Sequence, residues 1–480
     1  PMPTPRPATP LLLFALALGL RAAWATQVPQ PRDWDPAYYA DVARQILDGQ
    51  GATTRALWSL SALPERLPFV ADLHWMPLPS RVLLPLTALD AARGPAWTTL
   101  LLAAAWAPLA WATARRLAPA DPQAATLAGL FAALGGGYGS FLSTPDSIAL
   151  MGAVGGAAFL ALLDNKPARL GLLAALLTLT RGDGLLLAGL LGLGLSRRAL
   201  WAWAPALGVY GAWALRNHQA DPLLAEAARQ GAAAAPSLAA LVQGGWQPLD
   251  LAGRMHVLIG ALPSTLATAL VLGVGLLPPL AAVGAAPLRH SRAVQVGLLY
   301  AFALPLLAIP LAPAIASSGT VMRSWSAIFP LGCALAALGA LQLNRRLVDA
   351  RGLHPAFLPG LLLFTLTLGG LTLGLGALRA VPAPEIDCAA LSDLPPHAAV
   401  FAAEPLLVAE RCDRPAVILP AGGDPARIAE AVARYDLRAA LLPAQSAAGT
   451  LGATQAEAAH LLPGWVCRGG LCLAPTAPSP

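Results

Sequence analysis

The strongest constraint in this sequence is a repeated pattern of long, uncharged apolar runs separated by short segments in which arginines gather, often in pairs. Runs of about 20 apolar residues match the thickness of a bilayer's hydrocarbon core. Cationic residues between such runs mark cytoplasmic loops. Composition supports the same reading. Charged residues make up 12% of the 480 and hydrophobic ones 56%, which is about half the charge of a soluble domain. A net charge of +6 and a pI near 9.4 would suggest nucleic acid in a soluble chain. Here the excess sits between apolar runs, so nucleic acid is excluded as the partner and membrane lipid is the expected surroundings.

The arginine pairs set a topology. The run 10–26 follows Arg6 and reads as the first anchor, although Ala23-Trp24-Ala25 also has the form of a signal cleavage site. The next pair, Arg115-Arg116, closes the run 95–114, which makes 27–94 one long outside loop. Within that loop, 80–89 is apolar but too short to cross. The runs 124–142 and 148–163 go out and back in, with Asp146 at the outer turn. Residues 170–196 have arginines at both ends, and Thr180-Arg181-Gly182-Asp183-Gly184 cuts them into halves too short to span. Such halves are tolerated only where they line a protein cavity. The runs 201–215, 257–284, 293–312, 326–343 and 357–378 complete about eleven crossings, with 216–255 a second outside segment. The expected fold is thus an all-α polytopic membrane domain over 1–378, followed by a small α/β domain over 379–480 on the outer face.

Charge and cysteine support that division. Residues 379–480 carry a net charge of −3 and residues 1–378 a net of +9. Cys388, Cys412, Cys467 and Cys472 all follow the last run. An even number of cysteines on an oxidising face suggests one or two disulfides, with a zinc site as the alternative. Cys333, inside a run, reads as an inert apolar residue. The tail should form strands at 398–402, 416–419 and 439–442 and a helix over 424–435, entered through the Gly422-Gly423 turn.

The acids cluster. Of 15 in residues 1–378, seven lie in the first loop: Asp33, Asp35, Asp41, Asp48, Glu65, Asp72 and Asp90. Asp35 followed by Pro36 reads as an N-cap with proline at the first helical position. Tyr39, Val42, Ala43 and Ile46 then share one face of a helix lying on the membrane surface. The functional alternative is that Asp35 or Asp33 faces a cavity as a general base. Asp183 suits an ion pair with Arg181, and Asp146 suits a helix cap or an acceptor-positioning role. The sequence has no Walker, dinucleotide, His-Glu-x-x-His or Gly-x-Ser-x-Gly motif.

Four short segments resemble one known superfamily. Asp-x-Ala-Tyr-Tyr with Ala-Arg-x-x-Leu-x-Gly (Asp35 to Gly49) resembles the first extracytoplasmic loop of the C-type glycosyltransferases (GT-C), as in the protein mannosyltransferase and aminoarabinose transferase groups. His74-Trp75-Met76-Pro77-Leu78-Pro79 is similar to their following proline-rich segment. Leu179-Thr180-Arg181-Gly182-Asp183-Gly184 is similar to their recurring polar tip. Arg323, seven residues before Pro330, resembles their late outer-face arginine, and the tail resembles their small periplasmic domain. Many members have two adjacent acids where this chain has Asp35-Pro36, so no paired-carboxylate or metal role is carried over there.

The resemblance implies a bacterial inner-membrane hexosyl- or pentosyltransferase that uses a polyprenyl-phosphate sugar donor and a periplasmic-side acceptor of unspecified kind. Asp35 would be the base and Asp33 its reserve. Arg181, Arg323 and His74 would meet the donor phosphate. Tyr38, Tyr39, Asp146 and Asp183 would line the cavity. No cofactor is required, and a divalent metal is compatible but unsupported. The alternatives are a transporter or flippase, and an inactive scaffold of the same fold.

Overall fold

The computed structural model describes residues 8–26, 33–139, 141–243, 247–315, 319–380, 386–395, 397–443 and 451–475. Arg6, expected on the cytoplasmic side, lies outside them. The chain is mostly helical, with a small sheet towards its C-terminal side. Among the described residues four helices are long and apolar enough to cross a membrane: Ala8–Ala25, Leu251–Leu272, Arg292–Leu311 and the composite Val321–Arg351. Leu11, Ile259, Leu266, Phe302 and Phe364 all project outward from the bundle. Apolar surface of that extent is stable only against lipid or another apolar partner.

Two apolar cores fill the bundle. One is built around Trp106, Phe131 and Tyr138, the other around Phe159, Leu191 and Tyr300. Helices Ser147–Leu163 and Phe329–Arg351 contribute to both and tie them together. Close backbone approach replaces large side chains at their crossings. A Cβ on Gly339 would lie 2.0 Å from the Leu280 carbonyl oxygen, and one on Gly284 would lie 2.0 Å from that of Leu335. Such small-residue contacts drive helix association where no hydrophobic force separates helix from lipid.

Two apolar runs are more broken than their composition suggests. The run 95–114 divides at Ala105 into helices Gly94–Ala104 and Trp106–Leu117. The run 124–142 stops being α-helical at Leu134, where Gly135 takes a left-handed φ of 73°. Arg21 caps that end, donating to the carbonyls of Ala132, Ala133 and Leu134 at 3.4, 2.9 and 3.3 Å. These are among the carbonyls a helix terminus leaves without partners. The segment 170–196 forms two short helices, Pro167–Thr180 and Gly184–Gly194, joined by a tight polar tip.

The sheet has six strands: β1 (Ala56–Leu57), β2 (Val400–Ala402), β3 (Ala416–Ile418), β4 (Ala439–Leu441), β5 (Val466–Arg468) and β6 (Leu471–Leu473). Their order is β1-β3-β2-β4-β6-β5, parallel from β1 to β4 and antiparallel beyond. The expected tail strands are present, and the 424–435 helix forms over Pro425–Tyr435 with Asp424 as its cap. The β5–β6 hairpin and helix Pro405–Cys412 are additional. Disulfides join Cys388 to Cys412 and Cys467 to Cys472, so all four tail thiols are used and the zinc alternative falls.

Strand β1 belongs to the first loop, yet it pairs with β3 of the tail. The second outside segment joins them: Leu60 N–H donates to Val242 O at 3.0 Å, and Gln243 Nε2 donates to Ala421 O at 2.7 Å. The three segments therefore pack against one another.

Candidate active site

The first-loop helix spans Trp34–Leu47, and its cap is Asp33, not Asp35 as the sequence suggested. Asp33 has an extended backbone and accepts the Trp34 N–H at 2.8 Å. Pro36 sits later in the first turn, where a missing N–H costs nothing because those donors have no intrahelical partner. The two-residue shift frees the Asp35 side chain to point away from the helix. Nor does this helix lie bare on a membrane surface. Tyr39, Val42 and Ala43 are buried as expected, but Leu406 and Leu407 of helix Pro405–Cys412 pack in the same cluster. Arg44 donates to Glu410 O at 2.6 Å and pairs with its carboxylate, and the Trp34 indole donates to Glu404.

Arg323 is the centre of the site. Its guanidinium is buried and meets three carboxylates: Nη2 to Asp33 Oδ2 at 2.7 Å, Nε to Asp35 Oδ2 at 3.2 Å, and Nε to Asp146 Oδ2 at 3.0 Å. Asp146 has two tasks, because its Oδ1 also accepts the Ile148 N–H at the start of helix Ser147–Leu163. Asp35 is fixed on its other oxygen by the Trp75 indole N–H at 2.9 Å. Burial pushes the Asp35 carboxyl up, but Arg323 and the Trp75 hydrogen bond outweigh it and hold the group below the ordinary carboxylate range. Asp33 is the open arm, with its side chain 61% exposed.

Arg181 sits at the tip between the two short helices. It pairs with Asp183 at 3.2 Å, as its sequence spacing suggested, and donates to Ser324 Oγ and Ser147 Oγ, each at 3.2 Å. Ser147 donates in turn to Asp146 Oδ1 at 3.0 Å, and Ser324 bonds Asp183. The two arginines are thus joined through Ser147 and Asp146. The tip is tight: a Cβ on Gly184 would lie 2.1 Å from the Leu177 carbonyl oxygen.

Tyr38 and Tyr39 are buried in the loop core. Tyr38 stacks on Trp75 with centroids 4.1 Å apart, and its hydroxyl accepts the Asp72 N–H at 2.6 Å. The Tyr39 phenol is raised by burial and by Asp35. His74 packs edgewise among Trp58 and Trp75, and burial pushes it down to about 4, so it is neutral at physiological pH. The sequence reading missed Ser147, Ser324 and Trp75, although each adjoins a residue it singled out. Among the described residues no group of three or more His, Cys, Asp or Glu side chains is arranged as a metal site.

No family model and no curated protein matches the sequence. Solved structures do match. The Archaeoglobus fulgidus oligosaccharyltransferase in its apo form gives a TM-score of 0.53 at 12% identity, over 91% of this chain and 69% of that one. ArnT from Cupriavidus metallidurans bound to undecaprenyl phosphate gives 0.54 at 13%, over 85% of each chain. The fold is GT-C. The first-loop helix, the polar tip at Arg181 and the tail sheet all occur together in this chain. Its Arg181–Arg323 network lies where the bundle meets the first loop.

Proposed function

We propose that this chain is an integral-membrane glycosyltransferase of a bacterial inner membrane, moving one hexose or pentose from a polyprenyl-phosphate carrier to an acceptor on the periplasmic side. The likeness to ArnT, which was solved with undecaprenyl phosphate, supports the donor class. The single observation that carries the reading is Arg323 buried against Asp33, Asp35 and Asp146, and linked to Arg181.

Transfer forms a bond from an acceptor oxygen to the anomeric carbon and breaks the carbon–oxygen bond to phosphate. The bonding pair leaves on the phosphate, and the acceptor proton must go to a base. Asp35 suits the base: it is held ionised by Arg323 and aimed by Trp75. Arginine forks suit the departing phosphate. Asp33, the exposed arm, yields its place on Arg323 Nη2 to the donor phosphate, while Asp146 keeps the guanidinium in position through Nε. Arg181 is held ready by Asp183 and the two serines, and neutral His74 serves as an N–H donor to phosphate. Tyr38 and Tyr39 form the cavity wall beneath.

The test is sugar release from radiolabelled polyprenyl-phosphate sugars by purified protein in detergent, with water as a poor acceptor. Asp35→Asn keeps the Trp75 hydrogen bond but removes the base. Its turnover should fall by about 10²–10⁴, the usual worth of a general base. Turnover equal to that of the wild type would refute Asp35 as the base.

A further inference from the structure

A second concavity adjoins the site. It is a half-open cleft spanning ≈ 570 Å³ of empty space, open solvent included, and its walls come from the first loop and the second outside segment. One wall is aromatic. Trp58, His74 and Trp75 pack with centroids 4.8 to 5.3 Å apart. The rim carries hydroxyls, with Ser59 and Ser61 linked at 2.9 Å and Ser59 donating to Leu241 O at 2.6 Å. Ala227 and Ala228 of helix Pro222–Ala234 also line it.

Charge decides what fits. Among the described residues the lining contains no lysine or arginine, and its carboxylate, Asp72, is paired with Arg81 at 2.6 Å. Such a cleft offers a phosphate no cationic donor, only the neutral His74 N–H, and no free carboxylate to a cationic group. A neutral sugar suits it: one ring face is C–H-rich and packs on indole, while hydroxyls at the ring edge exchange hydrogen bonds with serine.

We infer that the Trp58–His74–Trp75 cleft binds an uncharged sugar ring, and that the enzyme's acceptor is a neutral glycan. Position supports the acceptor role, because Trp75 lines the cleft and its indole N–H ends on Asp35 at 2.9 Å. A ring seated there lies across Trp75 from the base, so the hydroxyl that reaches Asp35 belongs to the next unit of the same glycan. The acceptor role rests on the transferase reading; sugar binding in the cleft does not.

The experiment is therefore a binding measurement on the full-length protein in detergent without donor. Maltotriose, cellotriose, mannotriose and chitotriose are titrated by calorimetry against wild type, Trp58→Ala and Ala228→Trp. The second variant keeps the aromatic wall and fills the cleft from another lining position. At least one trisaccharide should bind the wild type, and both variants should weaken it at least tenfold, with Ala228→Trp retaining the wild-type thermal transition. Binding by none of the four, or equal binding to wild type and Ala228→Trp, would overturn the inference. Transfer of labelled sugar to a peptide in preference to the bound trisaccharide would overturn the acceptor role alone. Failure of the donor-release assay, with trisaccharide binding intact, would overturn the transferase reading alone.

Discussion

Replacing Arg323 by methionine would leave three carboxylates facing a site without their shared cation. Their costs differ. Asp33 is 61% exposed and turns to water cheaply, Asp35 is 20% exposed, and Asp146 is 3% exposed and held by its cap. Breaking a buried ion pair by removing one partner costs about 3–5 kcal/mol, and Asp146 should account for most of it. That is about two to three and a half decades in the unfolding constant, out of a total stability of about 5–15 kcal/mol. Asp146→Asn keeps a good helix cap and removes the stranded charge. The double variant Arg323→Met with Asp146→Asn should then be more stable than Arg323→Met alone, by about 1–2 kcal/mol, as coupled neighbours behave. Equilibrium unfolding in detergent across a denaturant series measures all four corners of the cycle. Strict additivity, with the double variant as unstable as the two single losses combined, would refute the argument that Arg323 compensates Asp146.

Other expectations follow from the same geometry. Glu404→Ala strands the Trp34 indole N–H between Asp33 and Asp35 and should cost about 1–3 kcal/mol, with donor release falling at least tenfold; Glu404→Gln keeps an acceptor and should stay near wild type. Gly184→Ala should distort the Arg181 tip and lower donor release, whereas Gly182→Ala, which meets nothing within 4 Å, should be silent. His74 has its folded-state pKa depressed to about 4, so its contribution to stability is complete above about 6.5 and is lost as pH falls toward 4. Wild type should lose at most about 2 kcal/mol more than His74→Phe between pH 7 and pH 5 in thermal melts.

What the sequence revealed, it revealed through lengths and breaks. The polar tip at Thr180–Gly184 was legible because each flanking run is too short to cross alone, and the tail's strands and helix follow ordinary periodicity. The cap was misplaced by two residues because Asp33 and Asp35 both satisfy the local rule; the choice is made by Arg323 and Trp75, which lie far off in sequence or beyond a helix's reach. Strand β1 is two residues long and carries no pattern of its own, since its partner is 360 residues away. The break at Ala105 was invisible because nothing polar marks it. Ser147 and Ser324 are common residues whose meaning is given only by the arginine between them.

Strand β1 and the helix that carries Asp33 and Asp35 both take their support from residues beyond 400. A ribosome makes those residues only after the whole bundle has been synthesised. The first loop therefore waits with one sheet edge uncovered and one helix face bare until the last part of this sequence is translated and carried to the same side. The proposed transfer is consequently tied to the tail: a product truncated after the final apolar helix would keep its arginines, yet lack the wall that holds its carboxylates in place.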